Sequence, residues 1–81
     1  MFYVYAIESV AEKRVYIGYT SNIDSRLRYH NSGYVKSTSK DVPWRLVALE
    51  EIESRDEARW IERSLKKSLG KRLKWMDKNH I

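Results

Sequence analysis

Two runs rich in aromatic and β-branched residues, Phe2 to Glu8 and Arg14 to Tyr19, are separated only by the polar stretch Ser9 to Lys13. A parallel pair of strands needs a crossover of roughly a dozen residues or more, so this spacing admits one solution, an antiparallel β-hairpin. The residue types agree, because tyrosine, valine and isoleucine suit a pleated, half-buried surface. Gly18 interrupts the second run near its end, where a missing side chain lets another backbone or a ligand come close.

The rest of the chain reads as one strand and up to three helices. Ser21 or Asn22 can cap a helix in which Ile23, Leu27 and His30 or Asn31 share a face, with Asp24, Ser25 and Arg28 outward. It should stop near Gly33. Residues Gly33 to Pro43 lack helical periodicity and read as a surface loop. Trp44 to Ile52, entered through Pro43, reads as a third strand, although Leu46, Val47, Leu49 and Ile52 alternate imperfectly. Ser54 and Glu57 form a capping-box pattern for a helix from about Arg55 to Leu69. Its apolar face is Ala58, Ile61, Leu65 and Leu69, with Gly70 as the residue just past its end. Lys71 to Lys78 fits a last short basic helix packing through Leu73, Trp75 and Met76. The order β-β-α-β-α-α predicts an α+β domain on a small sheet.

Size and composition narrow the function. With 81 residues there is room for a single core, so residues 1–81 read as one domain. Three tryptophans, six tyrosines and one phenylalanine can fill that core. Absence of cysteine excludes disulfides, thiolate metal sites and a cysteine nucleophile, and points to a cytoplasmic setting. The opening MFYVYAIESV is short, carries Glu8 and has no basic stretch before it, so it fits neither a signal peptide nor a membrane span. A formal charge of +5 favours a polyanionic partner, nucleic acid first, though it also serves solubility. Much of the excess lies from Arg55 onward, in nine lysines and arginines against Asp56, Glu57, Glu62 and Asp77.

Tyr3-Val4-Tyr5 and Tyr16-Ile17-Gly18, in the paired strands, resemble the double signature of the GIY-YIG nuclease family. The second half matches letter for letter, while the first has Tyr3 and Val4 in place of glycine and isoleucine. The similarity continues through Asn22-Ile23, Arg26-Leu27 and His30, then Pro43-Trp44, Glu50, Glu57-Ala58 and Glu62 before Leu65-Lys66, so it spans nearly the whole chain. It is nearest the small stand-alone members. The resemblance implies a three-stranded antiparallel sheet flanked by helices and a single divalent ion, Mg²⁺ or Mn²⁺. It also implies hydrolysis of phosphodiester bonds in DNA, a chemistry that serves DNA repair or recombination.

Such hydrolysis needs an activated water, cationic stabilisation of the phosphoryl oxygens and help for the leaving oxygen. By resemblance, Tyr16 is the general base or proton relay for the water, and Tyr5 is its neighbour across the hairpin, orienting water or phosphate. A phenol has an ordinary pKa of about 10 and needs positive charge close by to take a proton near neutrality. Arg26 suits the phosphate through its fork of donors. His30, one helical turn on, is read as a donor to a nonbridging or leaving oxygen, or as a satisfied helical histidine. Glu62 matches the family's metal-binding carboxylate. Glu57 competes, but its capping pattern already explains it, whereas Glu62 lies close to the apolar face, where a carboxylate needs a partner.

Lys36, Ser37, Thr38 and Lys40 in the long loop are expected to contact the nucleic-acid backbone, and Trp44 reads as core rather than as a stacking platform. Some relatives carry a lysine after the YIG motif, where this chain has Tyr19, and an asparagine after the last helix that has no match among Lys71 to Lys78. The catalytic reading requires both phenols, the guanidinium of Arg26 and the carboxylate of Glu62 to meet on one concave surface. The rival readings are a basic nucleic-acid-binding module with an idle site and a protein-interaction domain built on the C-terminal basic helix.

Overall fold

The computed structural model describes residues 1–36 and 38–81; Ser37, one of the expected backbone contacts, lies outside the described residues. β1 (Phe2–Ser9) and β2 (Val15–Thr20) form the hairpin, and β3 (Trp44–Ile52) pairs antiparallel with the other edge of β1. The strand order is therefore β2-β1-β3, with the first strand central. Alternate residues of β1 serve opposite faces, as the two-residue period of a strand dictates. Val4 and Ala6 enter a cluster with Ile17, Ala48, Ile52, Ala58 and Leu65, whereas Tyr5 and Ile7 pack with Trp44. Both faces are covered. α2 (Arg55–Lys67) and α3 (Leu69–Lys78) cover the first, contributing Ile61, Trp75 and Met76. α1 (Ile23–Asn31) covers the second through Ile23 and Leu27.

The imperfect alternation of β3 has a specific cause. Ala6 pairs with Ala48, but the next residue, Ile7, pairs with Leu46, so Val47 is an extra residue in the ladder. Such a bulge reverses the side-chain alternation along the strand. Leu46 and Leu49 consequently face the Tyr5 side, while Val47, Ala48 and Ile52 face α2 and α3.

Caps set the helix ends. The Asn22 side chain accepts from the Ser25 amide at the start of α1, and Ser54 accepts from Glu57 at the start of α2. Gly33, with φ of +84°, takes the left-handed turn just beyond α1. The second boundary departs from the sequence expectation: α2 ends at Lys67, and Gly70 lies inside the first turn of α3. Ser68 is the reason, for it closes α2 in an extended conformation and its hydroxyl accepts from the Lys71 amide, opening a new helix there. The change of direction leaves Leu69 and Leu73 exposed rather than packed. α3 is held by Trp75, whose indole donates to Glu50 Oε1 at 2.8 Å, and the chain end bridges from His80 to Ala48 on β3.

The stretch after Gly33 is more than a surface loop. Thr38 and Asp41 are buried, Asp41 pairs with Arg14 at the start of the hairpin's second arm, and residues Ser39–Asp41 form a 3-10 turn. The Asn31 side chain clamps the far end of the loop. It accepts from the Trp44 amide at 2.5 Å and donates to the Trp44 carbonyl at 3.0 Å, fixing the entry of β3 against α1.

Candidate active site

Tyr5 and Gly18 face each other across the β1–β2 ladder. A Cβ at position 18 would stand 2.4 Å from the Tyr5 hydroxyl oxygen and 2.6 Å from Cζ, so the space a side chain would fill is taken by the phenol ring. The close approach expected at this glycine is therefore made by a side chain of the same hairpin. That seat places the end of the Tyr5 ring over Gly18, and its hydroxyl reaches α1.

There the Tyr5 hydroxyl meets His30 Nε2 at 2.9 Å, and His30 Nδ1 lies 3.1 Å from Thr38 Oγ1. The Thr38 hydroxyl has one proton and gives it to the Val35 carbonyl, so toward His30 its oxygen accepts. This network assigns the proton to Nδ1 and leaves Nε2 to accept from Tyr5. Burial lowers the His30 pKa, and the Arg26 guanidinium lowers it further, which agrees with a neutral ring. Burial also drives the Tyr5 pKa far above the ordinary phenol value, with Tyr16 and Glu62 adding to the rise and the nearby Arg26 guanidinium opposing it. Tyr5 thus stays protonated and donates to His30.

Residues from four elements then open onto one cavity of about 490 Å³, lined by Tyr5, Tyr16, Gly18, Arg26, Arg55 and Glu62 among others. The two phenols come from β1 and β2, the Arg26 guanidinium from α1, and the Glu62 carboxylate from α2 on the other face of the sheet. Tyr16 stacks at an angle on the buried His30 ring, with centroids 4.9 Å apart. Glu57 is elsewhere, exposed at the start of α2, where its backbone amide donates to the Ser54 hydroxyl oxygen.

The structure moves two residues out of the roles first read for them. His30 is 1 % exposed with both ring nitrogens engaged inside the protein, so it supports Tyr5 instead of donating to a phosphate. Thr38 is fully buried behind it and also receives the Trp44 indole N–H on its carbonyl, which removes it from any backbone contact. Lys36 and Lys40 are exposed and stand apart from the residues lining the cavity. Trp44 is buried, as its place at the strand entry suggested.

Two cations near the site escaped the sequence reading. Arg55, in the first turn of α2, lines the cavity. Lys66 Nζ is 3.4 Å from Glu62 Oε2 and 5.2 Å from the centre of the Tyr16 ring, so a single ammonium touches both the carboxylate and the phenol. The i, i+4 spacing to Glu62 was a legible signal for the first contact. Nothing local marked the second, which depends on how α2 lies over β2.

The donor set suits a hard cation that keeps much of its water. Among the described residues there is no cluster of three or more His, Cys, Asp or Glu side chains able to cage a metal. Glu62 supplies one carboxylate on an open cavity whose other walls offer phenols and guanidinium groups, which is how Mg²⁺ is held when substrate phosphate completes the shell.

Comparison with known proteins agrees with the geometry. The model of the GIY-YIG catalytic domain matches residues 1–76. A UPF0213 protein of Syntrophus aciditrophicus (strain SB) is 44 % identical over 54 residues, covering 64 % of this chain. The matched stretch spans 61 % of that relative's own length.

Proposed function

The chain belongs to the GIY-YIG catalytic domain family, whose fold is the three-stranded antiparallel sheet with helices seen here, and from that membership we propose that it is a divalent-metal-dependent nuclease hydrolysing phosphodiester bonds in DNA. The observation that carries the reading is the meeting of Tyr16, Arg26 and Glu62, from three different elements, on one cavity.

A phosphodiester entering the cavity meets Arg26 and Arg55, whose forks pair with its nonbridging oxygens and neutralise the charge that grows on them. Tyr16 takes a proton from the attacking water as it releases its own to solvent, so the phenol is unchanged after the step. The water oxygen bonds to phosphorus, one ester P–O bond breaks, and the departing oxygen takes a proton from solvent and leaves as an alcohol. Tyr5 is held by His30 and lines the cavity beside Arg26. Glu62 is the residue that would hold Mg²⁺ or Mn²⁺, which when bound would polarise a phosphoryl oxygen and favour ionisation of water. Lys66 occupies that carboxylate otherwise.

The test is cleavage of a panel of labelled DNA structures, single-stranded, duplex and branched, with Mg²⁺ or Mn²⁺. Glu62→Gln and Tyr16→Phe should each abolish cutting while circular dichroism shows an unchanged fold. Cutting at the wild-type rate by either variant, or tight salt-sensitive binding without cutting in any divalent metal, would overturn it, the latter in favour of an idle nucleic-acid-binding module.

A further inference from the structure

Trp60 was expected to fill the core, yet it is 68 % exposed. At 100° per residue, Ala58, Ile61 and Leu65 of α2 turn toward the sheet, and Trp60 falls on the opposite side of the helix. Around it a second groove, of about 460 Å³, is lined by Asp56, Arg59, Trp60, Arg63, Ser64 and Lys67, three cations against one carboxylate. Arg63 and Lys67 stand three and seven positions after the indole, hence along the same stripe.

The groove is continuous with the candidate active site through charge. Arg55, which lines the catalytic cavity, is one helical turn before Arg59, which lines the groove. Lys66, at the Tyr16 ring, neighbours Lys67 in the groove. The same helical geometry places Arg55, Lys66, Arg59, Arg63 and Lys67 at successive angles around α2, from the cavity edge to the outer face. A basic track thus runs across a helix about 20 Å long and ends at an indole.

Solubility explains exposed lysines and arginines, but it disfavours an exposed tryptophan. An indole flanked by cations in a concave surface instead combines the two elements that hold a nucleic-acid strand: a platform for an unpaired base and charge for the flanking phosphates. A fully paired duplex offers no open base face to such a platform.

We propose that the Trp60 groove binds an unpaired strand of the DNA substrate, leading its backbone over Arg59, Arg63 and Lys67 to the catalytic cavity. The proposal rests on the nuclease reading and sharpens it, since the substrate must then carry a single-stranded segment beside the scissile phosphate.

The test measures binding of a labelled single-stranded oligonucleotide in EDTA by fluorescence anisotropy across a salt series. Trp60→Ala should weaken binding about tenfold and Trp60→Phe much less, because a smaller ring still stacks. Arg63→Gln and Lys67→Gln should each flatten the log–log salt slope by about 0.7. Binding of a blunt, fully paired duplex should not respond to Trp60→Ala. Hydrolysis of bis(p-nitrophenyl) phosphate, too small to reach the groove, should keep its wild-type rate in Trp60→Ala. Wild-type oligonucleotide affinity and salt slope in all these variants would overturn the groove, as would an equal loss for duplex. So would a dimer that sediments intact in the wild type and dissociates in Trp60→Ala, which would make the indole a self-association contact. The two readings fail separately: a protein that cuts nothing but loses strand binding with Trp60→Ala keeps the groove without the nuclease. A Glu62-dependent nuclease indifferent to Trp60 keeps the chemistry without the groove.

Discussion

The Tyr5 hydroxyl and His30 Nε2 stand 2.9 Å apart in an interior from which both residues are almost wholly withheld from solvent. Their bond joins the central strand to α1 directly behind the cavity. It also makes the protonation of one imidazole a matter of stability, because Tyr5 can donate to Nε2 only while that nitrogen is bare.

The pH dependence follows from that bond. The folded-state pKa of His30 is lowered from 6.5, so on acidification the unfolded chain takes up the proton before the folded one does. The contribution of His30 to stability is therefore complete above about pH 7.5 and declines as pH falls through about 6.5. Urea denaturation of wild type and His30→Gln at a series of pH values checks this: the variant should lose the component of the slope between about pH 7 and 5. Parallel curves for the two proteins would show that the ring does not titrate as placed.

Gly18→Ala should destabilise the fold by about 1–3 kcal/mol, the range for an extra methyl forced into a filled space. The methyl would stand within 2.6 Å of two Tyr5 atoms, and the ring is walled in by His30 and Tyr16. A double-mutant cycle identifies the cause. In a Tyr5→Leu background the alanine should cost clearly less, whereas additive effects would place the strain somewhere other than the ring.

Lys66→Met should leave stability within about 0.5 kcal/mol, since the pair with Glu62 is an i, i+4 bridge whose lysine is 46 % exposed. Its effect should fall on the site instead. DNA cleavage should drop by on the order of tenfold or more, about 1.4 kcal/mol in the barrier, because the cation beside Tyr16 is gone. The metal concentration for half-maximal rate should also fall, because the Glu62 carboxylate no longer has an ammonium competing for it. Unchanged rate and unchanged metal dependence would reduce Lys66 to a surface ion pair.

Much of the fold was legible because its signals are local. Five residues between two strands force a hairpin, Asn22 and Ser54 announce helix starts by what their side chains accept, and the apolar spacing of Ala58, Ile61 and Leu65 states which face of α2 is inward. The end of α2 was misread because Gly70 is a strong local stop signal, while Ser68 became the cap in the folded chain. The bulge at Val47 left only a blurred alternation in the sequence.

By itself, then, the sequence determined the hairpin, the helix starts and the α+β order, each read from residues within a few positions of one another, and the family signature, read from short motifs strung along nearly the whole chain. Only the tertiary structure decided which of the polar residues share a cavity and which serve as its backing. His30 and Tyr5 are 25 positions apart, and Tyr16 and Lys66 lie on different elements, so no period or cap relates them. Whether a histidine faces solvent or a phenol depends on the angle at which its helix is laid on the sheet. That angle is set by packing of the whole core rather than by the residues beside it.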